Sequence, residues 1–161
     1  MRDHDLLVTL TAFKASGMPG DGNALTARDM SGRDQIERVI RRYAAAWGAR
    51  DREGWLATFA ASAVQEDPVG EGTQRGRDEI GSFWDRAMAV YSSLEIVPRD
   101  IFVTGREAAM EWTIHATGPA GSIAFDGVDI FTFDEAAQIV SVRAFWERGR
   151  IRKDPETPLK A

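Results

Sequence analysis

Three side chains in this chain of 161 residues have settings suited to acid–base chemistry. Asp129 stands in a run of aromatic and aliphatic residues, Asp67 directly precedes Pro68, and Tyr43 falls on the apolar stripe of a helical segment. A carboxylate accepts a proton, whereas a phenol or an un-ionised carboxylic acid donates a hydrogen bond to an oxygen that is gaining negative charge. Other chemistries are poorly supplied. Cysteine is absent, which removes thiol nucleophiles, disulfides and thiolate zinc sites. The two histidines, His4 and His115, lack a second histidine or carboxylate at ligand spacing, so no metal is expected. No Gly-x-Ser-x-Gly elbow, Gly-x-Gly-x-x-Gly turn or Walker loop occurs, and no cofactor is expected. Carboxylates, phenols and an apolar pocket remain.

The elements that must hold these groups follow from periodicity. With 43% hydrophobic and 28% charged residues, the composition suits one domain with a real core. Residues 1–30 read as an N-terminal extension, 31–149 as the folded domain and 150–161 as a tail. Asp34 and Glu37 have the form of a capping box, and Ile36, Val39, Ile40, Tyr43, Ala44 and Trp47 recur on one face of the first helix. Arg38, Arg41, Arg42 and Arg50 fall on its solvated side. Asp51 caps a short second helix carrying Trp55, Leu56 and Phe59 inward, followed by an extended piece from Ala63 to Glu66. A third helix after Arg77 presents Ile80, Phe83, Trp84, Ala87 and Met88. Beyond Ser93 the period changes to two, with strands expected at about 93–104, 108–117, 121–133 and 138–147, joined by turns short enough for antiparallel hairpins. Helices followed by a strand meander give an α+β domain, with a pocket between the layers.

The third strand puts Ile123, Phe125, Gly127, Asp129, Phe131 and Phe133 on one face. Burying Asp129 there as an ion would be very unfavourable, so it is either solvated, paired with a cation such as Arg143, or held neutral. Asp67 before proline also suits a simple turn, and Tyr43 simple core packing with its hydroxyl satisfied.

Together these residues match a family. The segment Arg42-Tyr43-Ala44-Ala45-Ala46, then Asp51, Gly54, Leu56, Phe59 and Ala60, leading to Glu66-Asp67-Pro68-Val69-Gly70, resembles the bacterial Δ5-3-ketosteroid isomerases of the nuclear-transport-factor-2-like superfamily. Glu107-Ala108-Ala109, Asp129 followed by Phe131 and Phe133, and Val140-Ser141-Val142-Arg143-Ala144-Phe145-Trp146 extend the likeness over about Gln35 to Glu147. Tyr43 and Asp67 are 24 residues apart and Asp67 and Asp129 are 62 apart, close to the family's spacing.

The resemblance implies a cone-shaped fold of three helices on a curved, mainly antiparallel sheet around an apolar pocket. It implies a cofactor-independent isomerase that moves the double bond of a 3-oxo-Δ5-steroid, or a similar β,γ-unsaturated ketone, into conjugation. Asp67 would shuttle the proton, while Tyr43 and a protonated Asp129 would stabilise the dienolate oxygen. Trp47, Phe59, Phe83, Trp84, Met88, Met110, Trp112, Ile114, Val142 and Trp146 would line the substrate. Phe59 and Trp84 stand where relatives carry supporting tyrosines, and Ala116 where an aromatic wall is expected. A carrier for a steroid-like ligand, a polyketide cyclase and a hydratase are the alternatives, the last disfavoured because His115 alternates away from the pocket. A homodimer packed through the outer sheet face is expected. The net charge of −5 and the lack of a long apolar run point to a cytoplasmic protein that neither binds nucleic acid nor inserts in membranes.

Overall fold

The computed structural model describes residues 27–154, with side chains from residue 32 onward. Most of the expected N-terminal extension (residues 1–26) and the end of the tail (155–161) lie outside the described residues. Among the described residues three α-helices, α1 (Ala27–Ala49), α2 (Arg52–Leu56) and α3 (Gly76–Val90), pack on a seven-stranded sheet. Its strands are β1 (Phe59–Glu66), β2 (Gln74–Arg75), β3 (Ser93–Thr104), β4 (Glu107–Gly118), β5 (Gly121–Phe133), β6 (Ile139–Phe145) and β7 (Arg152–Lys153). The order is β2-β1-β6-β5-β4-β3, parallel at β1–β6 and otherwise antiparallel, with β7 added against the start of β5. The sheet is thus mixed and open, with helices on one face. No helix among the described residues is long and apolar enough to cross a membrane.

Helix α1 begins at Ala27, seven residues before Asp34, which is exposed and interior to it. Nothing between Ala27 and Arg33 stops a helix: there is no proline, and one glycine costs only about 1 kcal/mol. Ile36, Ile40, Tyr43 and Trp47 form its buried stripe, while Arg38, Arg41 and Arg42 are exposed. Asp51 does cap α2, accepting from Gly54 N at 2.8 Å. That helix ends before Phe59, which opens β1, so this strand starts four residues earlier than expected. The turn at Ala57-Thr58 is closed by Thr58 Oγ1 donating to Trp55 O at 2.6 Å.

The four later strands follow the period-two pattern closely. On β5, Phe125, Asp129, Phe131 and Phe133 are buried against the helices, and Asp126 on the other face is exposed. Arg152–Lys153, in the segment read as a tail, pairs with Ile123 and Ala124 where β6 no longer accompanies β5.

Candidate active site

Tyr43 enters the site from the middle of α1, where the helical stripe turns its ring onto the sheet. Its neighbours are aromatic: Phe131 meets it edge-on at 5.3 Å between centroids, with Phe59 and Trp55 each at 5.9 Å. Its hydroxyl is engaged with the Asp129 carboxyl, and the Trp55 indole N–H faces it in a geometry short of a full hydrogen bond. Burial and the nearby carboxylates push its pKa well above the ordinary phenol value, so the phenol keeps its proton at neutral pH.

Asp129 is 3% exposed. Arg143, the cation considered for it, lies on the outer face, 3.3 Å from Glu66 and over the Phe145 ring. Asp129 instead accepts from Trp112 Nε1 at 2.8 Å. Desolvation and then the charge of Asp67 raise its pKa well above the usual carboxylate range, and these outweigh the lowering by Trp112 and Tyr43. Burial and Asp67 thus favour the un-ionised acid, the third of the options open to it. Gly127 makes room for Trp112, its partner across the β4–β5 ladder. A Cβ at 127 would lie 2.5 Å from the indole ring and 2.8 Å from Phe145 O.

Asp67 follows the end of β1, at a cis bond to Pro68. It is half-buried, and Trp146 Nε1 donates to its Oδ1 at 2.7 Å. Burial raises its pKa to about 6 against the opposing pull of that hydrogen bond, so Asp67 is mainly ionised at neutral pH.

The sheet register brings the two carboxyls together. Glu66 is level with Arg143 on the parallel β1–β6 ladder, so the next step sets Asp67 beside Ala144, whose carbonyl accepts from Val69 N at 2.9 Å. Ala144 is level with Asp129 on β5, which is level with Met110 on β4. Asp67 and Asp129 therefore flank one small residue, about 10 Å apart at their backbones, with Tyr43 above from α1. A cavity of about 470 Å³ reaches Pro68, Val69, Gly127, Ala144 and Trp146 where β6 leaves β5, and none of Tyr43, Asp67 and Asp129 lines it.

The six aromatic wall residues divide into two groups. Trp47 and Trp84 lie 4.1 Å apart and, with Trp55 and Phe83, pack on one another beneath the helices; Phe59 joins them through Trp55 at 4.9 Å. Trp112 and Trp146 form a second aromatic group on the sheet, joined through Phe125 at 5.7 and 5.0 Å. Met110 and Val142 are fully buried beside Asp129 and Phe131 respectively, whereas Ile114 and Met88 are half-buried. His115 is on the outer face, its Nδ1 2.6 Å from Asp154 Oδ2. Sequence reasoning missed Trp55 as a polar neighbour of Tyr43 and Ala144 as the residue between the two carboxyls; the alternation Val142, Ala144, Trp146 was the available signal for Ala144.

Residues 40–142 match the SnoaL-like domain family. A steroid Delta-isomerase of Nocardioides simplex is 28% identical over 115 residues, covering 71% of this chain and 92% of that protein. The Δ5-3-ketosteroid isomerase from a Mycobacterium species superposes with a TM-score of 0.66 at 25% identity, over 73% of this chain and 97% of its own. The cyclase-like enzyme SalBIII, of pyran ring formation in salinomycin, has a TM-score of 0.68 at 22% identity over 74% and 95% of the two chains, a likeness of fold alone.

Proposed function

The chain belongs to the SnoaL-like domain family, and on that premise we propose that it is a cofactor-independent isomerase of a steroid-like β,γ-unsaturated ketone. The observation that carries this reading is the row Asp67, Ala144, Asp129, which sets a half-buried and a fully buried carboxyl on one sheet face, with burial raising the pKa of the first to about 6 and of the second well above the usual carboxylate range. Asp67 removes the proton from the carbon between the carbonyl and the double bond. The C–H electron pair passes into the π system, and the charge collects on the ketone oxygen. Asp129 and Tyr43 donate to that oxygen, and Asp67 returns the proton to the far carbon as the carbonyl re-forms. Nothing is oxidised or reduced overall.

The division of labour follows from the shifted pKa values. A carboxylate raised to about 6 is a stronger base than an ordinary one yet still ionised at neutral pH. A neutral acid and a phenol in a dry site meet the new charge without reorganising, each such donor being worth about 3–4 kcal/mol.

The test is to add 5-androstene-3,17-dione to the purified protein and follow the ultraviolet absorbance of the conjugated enone. Turnover above buffer that Asp67→Asn abolishes, with ligand binding retained, is the expected result. Binding without turnover in the wild type would support the carrier reading instead.

A further inference from the structure

Gln65 is 1% exposed, yet neither its amide oxygen nor its amide nitrogen has a hydrogen-bond partner. It lies on β1 two residues before Asp67 and is level with the inward, buried Val142 of β6, which is level with Phe131 of β5. It therefore belongs to the row immediately beneath that of Asp67, Ala144 and Asp129, and Phe131 carries the ring of Tyr43. On its other side Gln65 faces Gln74 of β2 directly, and the Gln74 side-chain oxygen is also buried and unpartnered. Two amides so placed have Cβ atoms about 5 Å apart and ordinarily bond to each other. Here they do not, leaving one donor group and two acceptors unmet beside the base.

An unmet buried amide is costly, and a hydrocarbon ligand would leave it unmet. We propose that Gln65, assisted by Gln74, is a specificity-determining subsite for a second oxygen function, hydroxyl or carbonyl, on the ketone that Tyr43 and Asp129 hold. The inference rests on the isomerase reading and narrows its substrate to a dioxygenated ring. Gln65 and Asp129 project from the same sheet face two strands apart, about 10 Å at their backbones and one row out of level, so a second oxygen on the same fused ring system as the first falls within reach of the amide, and a 1,3 pair is the probe chosen for it.

The test uses 2-naphthol and 1,3-dihydroxynaphthalene as flat phenolic probes, with binding followed by quenching of tryptophan fluorescence. The wild type binds the diol about tenfold more tightly, and Gln65→Leu loses that preference while keeping its affinity for 2-naphthol. Without ligand, Gln65→Leu melts a few degrees higher than the wild type, because an unpaired amide has been replaced by hydrocarbon. A wild type without preference, a preference that survives in Gln65→Leu, or a lower melting temperature in that variant would overturn the subsite while leaving the isomerase reading intact. Affinity for 2-naphthol indifferent to Tyr43→Phe would overturn the seat of the first oxygen, and the subsite with it.

Discussion

The indole N–H of Trp112 donates to Oδ1 of Asp129 at 2.8 Å, across a strand pair and beneath the helices. One oxygen of the acid is thereby committed as an acceptor, and the proton is left to the other, Oδ2. The bond also offsets part of the upward push that burial and Asp67 exert on this carboxyl, which keeps it neutral but sharpens it as a donor. Trp112→Phe is expected to lower kcat three- to tenfold with little change in KM. Because the lost bond favoured the ionised form, the alkaline limb of the pH profile moves to higher pH, a shift that a purely structural role would not produce.

Replacing Asp129 separates its donor from its bulk. Asp129→Asn keeps an N–H in place and retains most of the activity, whereas Asp129→Leu loses about 10²- to 10³-fold. Stability has a definite sign: a carboxyl whose folded pKa is raised is most favourable to the fold at low pH, and that stability drains away as pH rises above the ordinary carboxylate value. The melting temperature of Asp129→Asn therefore gains on the wild type between pH 5 and pH 9.

The rate should climb with pH through about 6 as Asp67 ionises, then hold a plateau until the alkaline limb set by Asp129. Trp146→Phe removes the hydrogen bond that favours the carboxylate, so the acidic limb moves upward in pH. Steady-state kcat/KM measured from pH 4.5 to 8 reads both, and a limb that stays put in Trp146→Phe would detach that indole from the base.

Gly127→Ala would drive a methyl group into the Trp112 ring and toward Phe145 O. A loss of about 1–3 kcal/mol in denaturant unfolding is expected, with activity falling as Trp112 leaves Asp129. In a double-mutant cycle Trp112→Leu recovers part of the loss, which would not happen if the glycine served only backbone flexibility.

The facing of Asp129 among phenylalanines was legible in the sequence because a strand's alternation is local, as was the Ile36–Trp47 stripe of α1. The indole bonds to the carboxyls were not. They join residues 17 and 79 positions apart, and both depend on strand register, a product of turn geometry and of the parallel β1–β6 pairing that no local pattern announces. Phe59 reads as helical from the sequence because an aromatic four residues after Trp55 satisfies either period. Gln65 drew no notice because a glutamine before Glu66-Asp67-Pro68 is ordinary until its neighbours on β6 and β2 are known.

Because Asp67 and Asp129 are anchored at the end of β1 and on β5 with Ala144 of β6 between them, the spacing of the two carboxyls is gauged by backbone ladders rather than by side-chain length. Enlarging or trimming the aromatic walls would change which ligand fits without altering that gauge. A slip of β1 along β6 by two residues would keep every inward side chain inward and bring Gln65 level with Ala144 in place of Asp67. The parallel β1–β6 seam is thus the joint on which the pairing of the two carboxyls turns, and under the proposed isomerase reading the place where an otherwise intact fold would fall silent.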